Sequence, residues 1–185
     1  MKIGVPKESV AGETRVATTP DVVKKLSGKG FEFLVERGAG LDSRFTDEDY
    51  EAAGATLVDA KTALSAGIVA KVRKPSQDEV AAMSSGAILL SMIETCEDDG
   101  TLAALHAGNV RPIALERVPR ISRAQSMDVL SSQANIGGYR AVIEASAHYG
   151  RFLPLMMTSA GSAKPARVII LGVGVAGLQA IATAR

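Results

Sequence analysis

Three glycines, Gly172, Gly174 and Gly177, stand in the order GxGxxG within Arg167-Val-Ile-Ile-Leu-Gly-Val-Gly-Val-Ala-Gly-Leu-Gln-Ala-Ile-Ala182. The chemistry open to such a run is the cradling of a pyrophosphate. Its first glycine permits a tight strand-to-helix turn, its second lets the backbone approach the phosphates, and its third lets the helix pack closely on the strand. The free N–H groups and positive end of the helix that opens there face the anion. A bare GxGxxG is also compatible with an ordinary glycine-rich turn. Here, however, a β-branched run precedes it and a helical pattern follows, as a dinucleotide fingerprint requires. The acidic residue that would grip a ribose belongs about 20 residues further on, beyond Arg185.

A second concentration of reactive types is Arg117-Val-Pro-Arg120-Ile-Ser-Arg123-Ala-Gln125-Ser-Met-Asp128-Val-Leu-Ser131-Ser-Gln133. It sets arginines, an acid, amides and hydroxyls directly after an expected strand end, where α/β sheets carry their ligand-binding residues. Arginine pairs bidentately with phosphate or carboxylate, and glutamine and serine can fix an amide or hydroxyl. Equally consistent is an exposed loop in which Ser126 and Asp128 merely start the following helix.

The elements that must carry these residues alternate. Apolar runs of strand length occur at Lys2 to Val5, Phe31 to Val35, Ile68 to Val72, Ala87 to Ser91, Arg111 to Leu115 and Val168 to Leu171, with helical segments between them. That rhythm predicts βα units and parallel sheets. Helix starts are marked by Thr19 before Pro20, by Thr46 before Asp47, Glu48 and Asp49, and by Ser76 with Glu79, and Gly28 or Gly30 closes the first helix. Acids at helix starts complement the macrodipole, so these carboxylate clusters are read as structural rather than catalytic. A long helix is expected from about Ser126 to His148, acting as a connector between domains. Its Gly137-Gly138 implies either a kink or a close neighbour, since glycine costs a helix about 1 kcal/mol. Leu153 to Ala166, with Pro154, Gly161 and Pro165, reads as a loop.

The expected fold class is α/β, with two doubly wound parallel-sheet, Rossmann-like domains, the second only begun. Residues 1–136 would form the first domain and 137–185 the start of the nucleotide-binding one. At 46% hydrophobic residues with no Trp, the core must be built from Val, Ile, Leu and Ala, as buried parallel strands usually are. A net charge of +1 gives no nucleic-acid or membrane-surface footprint. No apolar stretch reaches the ~20 residues of a membrane span, and the charged, proline-containing start Met1-Lys2-Ile3-Gly4-Val5-Pro6-Lys7-Glu8 does not read as a signal peptide. Cys96 is the single cysteine; this excludes a disulfide framework or a cysteine-rich metal cluster and leaves a buried or idle thiol. His106 and His148 fall on helical segments and read as surface or packing residues.

Arg117 to Ala141, with the opening Ile3 to Glu8 and Glu13-Thr-Arg15-Val-Ala17-Thr-Thr-Pro20, resembles the alanine dehydrogenase and pyridine nucleotide transhydrogenase family. The likeness covers essentially the whole chain and is most specific in the Arg120 to Ser131 loop, on the transhydrogenase side of the family. It implies an enzyme component that binds NAD(H) and passes hydride to NADP+ on a partner, coupled to proton translocation. It further implies NADP(H)-binding and membrane-spanning partner components, a homodimer, and a place on the cytoplasmic side (or matrix equivalent) of a membrane held through those partners.

By the same resemblance Arg120, Ile121, Ser122, Arg123, Gln125, Asp128 and Ser131 would hold the nicotinamide, with Gln125 and Asp128 as the catalytic residues. Gly172, Val173, Gly174, Val175 and Ala176 would line the pyrophosphate and Gly177 support the turn. No metal is implied. The alternative is an alanine-type amino-acid dehydrogenase. Against it, Arg73 of Lys71-Val-Arg73-Lys74-Pro75 stands where that branch has its substrate lysine, and Glu94 of Ser91-Met-Ile-Glu94-Thr-Cys96 lies where it has a catalytic histidine. A carboxylate cannot replace imidazole as a positively chargeable proton carrier. A non-enzymatic nucleotide-binding module is the third reading.

Overall fold

The computed structural model of the chain describes residues 1–94 and 99–185, so Cys96 lies outside the described residues. The chain divides into two compact units, Met1–Val118 and Pro119–Arg185.

In the first unit six strands, β1 (Lys2–Val5), β2 (Glu32–Glu36), β3 (Thr56–Val58), β4 (Ile68–Ala70), β5 (Ile88–Ser91) and β6 (Arg111–Ala114), form one sheet in the order β3-β2-β1-β4-β5-β6. Every neighbouring pair is parallel. The chain therefore starts in the middle, winds out to β3, then returns past β1 and winds the other way. The strand order reverses between β1 and β4, which makes their carboxyl ends the topological switch point. Helices α1 (Pro20–Ser27), α2 (Asp47–Ala52), α3 (Ala60–Leu64), α4 (Gln77–Ala82) and α5 (Thr101–Ala107) alternate with the strands. One apolar cluster gathers Val5, Val23, Phe33, Val35 and Tyr50. A second gathers Leu64, Val69, Val80, Leu89, Ile93 and Leu105.

Local chemistry sets the helix starts as expected. Thr46 with Asp49 and Ser76 with Glu79 both close reciprocal capping boxes, which satisfy two otherwise orphaned N–H groups each. Thr19 has an extended backbone before Pro20 but makes no side-chain cap bond, and Gly28 ends α1. The sequence pattern did not reveal β3, whose three residues pair only with β2 at the sheet edge.

The second unit holds α6 (Val129–Tyr149), β7 (Met156–Thr158), β8 (Gly161–Ala163) and α7 (Val175–Ala184). Its long helix begins three residues later than predicted because Asp128, not Ser126, is the N-cap residue. Residues 156–163, expected as loop, instead pair as an antiparallel hairpin; its turn lacks the Asn-Gly or Asp-Gly signal that marks such a turn in sequence. Val168 to Leu171 has strand composition but no ladder partner among the described residues, and Leu171 is 95% exposed. A strand exists only where a neighbour takes its N–H and C=O groups.

The Gly137-Gly138 pair is explained by a neighbour. A Cβ on Gly138 would stand 2.1 Å from the Ala176 carbonyl oxygen, so α6 meets the first turn of α7 backbone to backbone, whereas a Cβ on Gly137 would meet nothing within 4 Å. The two adjacent glycines should therefore answer oppositely to alanine. Gly137→Ala is expected to stabilise the second unit by up to about 1 kcal/mol through helix propensity, and Gly138→Ala to destabilise it by about 1–3 kcal/mol through overpacking. Chemical denaturation of the two variants checks the signs.

Candidate functional site

The GxGxxG turn leads directly into α7. Gly172 sits at φ +114°, a region that side chains rarely adopt. Gly174 is the N-cap of α7, with an extended backbone and no side-chain cap bond. The first-turn N–H groups of Val175, Ala176 and Gly177 are therefore left without the side-chain partner that helix starts usually recruit. A Cβ on Gly177 would stand 2.0 Å from the Gly172 carbonyl oxygen, while one on Gly172 or Gly174 would meet nothing within 4 Å. The third glycine thus closes the turn, and the first two leave its outer side open to an approaching anion. Val173, at 78% exposure, and Val175 flank that opening.

The arginine-rich loop is organised by its own acid. After a short 3-10 turn at Ser122–Met127, the Asp128 carboxylate accepts from the Ser131 backbone N–H at 2.9 Å through Oδ1 and from the Ser131 hydroxyl at 2.6 Å through Oδ2. The Ser131 bonds, helped by the charge of Arg120, hold the carboxyl below the usual carboxylate range. Asp128 and Ser131, two of the expected nicotinamide contacts, are thus joined to each other as the cap of α6. Ala124 is buried, and Ile121, Ser122, Arg123 and Gln125 are exposed around it. The two parts of the unit are connected through α6, which starts at Asp128 and touches α7 at Gly138. By a rise of 1.5 Å per residue that is about 15 Å of helix.

A cluster only partly legible in the sequence lies at the switch point of the first unit. Lys71, immediately after β4, is buried, with Nζ 2.6 Å from Glu79 Oε1 and 3.7 Å from Glu8 Oε2. Glu79 was legible as a cap, but its second oxygen serving a buried lysine depends on packing. Glu8, just past β1, also accepts the backbone N–H groups of Val72 at 2.6 Å and Arg73 at 3.2 Å. Further out, Glu13 pairs with Arg15, whose bonds lower its carboxyl pKa to about 2. Arg73 reaches Glu94 Oε1 at 3.0 Å, and Lys74 binds Asp99 at 2.6 Å. Glu116, missed in the sequence, accepts the N–H groups of Ile93 at 3.1 Å and Glu94 at 2.8 Å. It thereby fixes the chain beyond β5. Among the described residues no group of acids, histidines and cysteines is placed to hold a metal ion, and no helix is long and apolar enough to cross a membrane.

A doubly wound parallel sheet, followed by a unit that opens a helix on a GxGxxG turn, defines a nucleotide-site class of α/β protein. Residues 4–137 match the family model of the alanine dehydrogenase/PNT N-terminal domain, and residues 141–185 that of the C-terminal domain. The chain belongs to the alanine dehydrogenase/pyridine nucleotide transhydrogenase family. It is 51% identical to an NAD(P) transhydrogenase subunit alpha chain of Rhodospirillum rubrum, over 100% of this chain and 50% of that protein. The transhydrogenase of Sinorhizobium meliloti matches its structure with a TM-score of 0.96 at 47% identity, over 100% of this chain and 55% of the other. An L-alanine dehydrogenase matches at 0.86 and 32%, over 100% and 52%. The chain thus spans about half the length of these relatives.

Proposed function

We propose that the chain is the NAD(H)-binding part of a proton-translocating transhydrogenase, in which hydride passes between NADH and NADP+ held on a partner component. The observation that carries this is the open Gly172-Gly174 turn with its uncapped α7 start, in a chain that matches a transhydrogenase alpha subunit over its whole length. When bound, the nicotinamide ring supplies the hydride. The chain's part is to hold and orient it. The backbone N–H groups of Val175, Ala176 and Gly177 would take the pyrophosphate. Arg120, Arg123 and Gln125 present donors with no hydrogen bond to the described residues, and these would take the carboxamide end, on a loop that Asp128 and Ser131 keep in register with α6. Gln125 is the group we assign to the reacting ring. Asp128, with both oxygens on Ser131, acts there by positioning.

The NADP(H)-binding and membrane-spanning components, a homodimer, and attachment to the inner side of a membrane through those partners belong to the same proposal. Dehydrogenation of an amino acid is less well supported, because Glu94 is engaged by Arg73. In a chain extended to the length of its relatives, Gln125→Ala and Arg120→Ala should each weaken NADH binding by about 10-fold or more, the worth of one lost hydrogen bond to or from a charged or buried group. Fluorescence titration with NADH checks this; unchanged affinity in both would remove the loop from the site.

A further inference from the structure

The second unit holds a cavity that neither the GxGxxG turn nor the arginine-rich loop uses. It lies at the base of the β7–β8 hairpin, has a volume of about 450 Å³, and is walled by Tyr149, Arg151, Phe152, Ala163, Lys164 and Pro165. Local chemistry builds it. Gly150, at φ +67°, ends α6 in the left-handed conformation and turns the chain at the end of the helix. The Ala166 N–H then donates to the Leu153 carbonyl at 2.9 Å, which continues the hairpin register in which Met156 faces Ala163. Residues 151–153 are therefore held beside residues 164–166 by backbone bonds.

Two cations and two aromatic rings stand on the walls. Arg151 and Lys164 make no ion pair and no hydrogen bond among the described residues. The second unit has little to offer them, since Pro119–Arg185 carries seven Lys and Arg against two acids, Asp128 and Glu144. Both acids are engaged, Asp128 by Ser131 and Glu144 by Arg140. A cation just past a helix often serves the last carbonyls, but Arg151 makes no bond to those of α6. The helix end amounts to about half a negative charge, which two full positive charges outweigh. Tyr149 and Phe152 are each about half exposed, so their rings offer faces to a planar group.

We infer that this cavity is a second ligand site, for a small phosphate monoester that carries a planar ring. Arg151 forks onto the phosphate and Lys164 neutralises it as a point charge, while the ring lies against Tyr149 and Phe152. The volume falls in the range of about 300–1,000 Å³ that small-molecule sites occupy. The site shares no residue with the GxGxxG turn, and the inference does not depend on the nucleotide reading.

The test is a titration with phenyl phosphate followed by phosphorus NMR, on the chain extended to the length of its relatives. Arg151→Ala and Lys164→Ala should each bind phenyl phosphate about 10-fold more weakly than the wild type, the worth of one charge-assisted hydrogen bond. Inorganic phosphate, which lacks the ring, should bind the wild type several-fold more weakly than phenyl phosphate. Excess NADH should leave phenyl phosphate in place, and both variants should bind NADH as the wild type does. Displacement by NADH would put the phosphate on the GxGxxG turn and overturn the inference. So would absence of binding to the wild type, or equal affinity in the wild type and Arg151→Ala/Lys164→Ala. Both side chains are exposed; should the alanine variants nevertheless not fold, Arg151→Gln/Lys164→Gln keeps much of their bulk, and undiminished binding to it counts against the inference in the same way.

Discussion

A chain carrying Lys71→Ala is expected to lose about 3–5 kcal/mol of stability, the cost of breaking a buried ion pair from one side. Lys71 is 2% exposed and lies between Glu79 and Glu8. Without it, Glu79 retains its bond from the Ser76 N–H, and Glu8 retains those from Val72 and Arg73. Those bonds satisfy lone pairs but leave two enclosed negative charges facing each other with no cation between them. Because the triad joins the ends of β1 and β4 to the start of α4, the loss falls on the middle of the sheet. Urea unfolding measures it. A loss below about 1 kcal/mol would mean that water reaches the triad and screens it as it screens a surface pair. The variant Lys71→Met with Glu79→Gln should recover part of the loss, since a neutral replacement for the whole pair is tolerated better than one orphaned partner.

The second large effect is on binding. Gly177→Val in a chain extended to the length of its relatives is expected to lower NADH affinity by about 100-fold or more. A Cβ at this position would lie 2.0 Å from the Gly172 carbonyl oxygen, and backbone cannot retreat as a flexible side chain could. The turn must open, which displaces the N–H groups of Val175, Ala176 and Gly177 that we propose face the phosphates. Overpacking of this kind costs about 1–3 kcal/mol, and the misplaced donors add to it in the bound state. The first unit should be untouched, so a sheet that still melts cooperatively beside lost NADH binding separates a site effect from unfolding. Retained affinity would show that the phosphates are held elsewhere.

What could be read from the sequence was what short-range chemistry decides. The Thr46 and Ser76 capping boxes lie within four residues, and both form as read. Strands Lys2–Val5 and Ile88–Ser91 are apolar runs that announce themselves. By contrast, β3 and the β7–β8 hairpin are three-residue strands whose existence depends on a partner already in place. Val168 to Leu171 is the converse, strand composition without a ladder among the described residues. For the site, Gly172 and Gly177 each meet a local demand, a positive φ and a close carbonyl, whereas Gly174, with open space at its Cβ position, is marked only by its place in the motif. Sequence alone leaves Asp128 divided between ligand contact and helix start, and its bonds to Ser131 put it at the cap. The switch-point cluster was the least visible part, since Glu8 and Val72 are 64 residues apart in sequence and only the parallel pairing of β1 with β4 brings them together.

The most direct test of the account is hydride transfer itself. The chain, extended to the length of its relatives and combined with an NADP(H)-binding transhydrogenase component, should reduce an NADP+ analogue at the expense of NADH. It should oxidise no alanine on its own, and Gln125→Ala should slow the transfer by about 10-fold or more. Absence of transfer, beside brisk NAD-dependent oxidation of alanine by the chain alone, would contradict it.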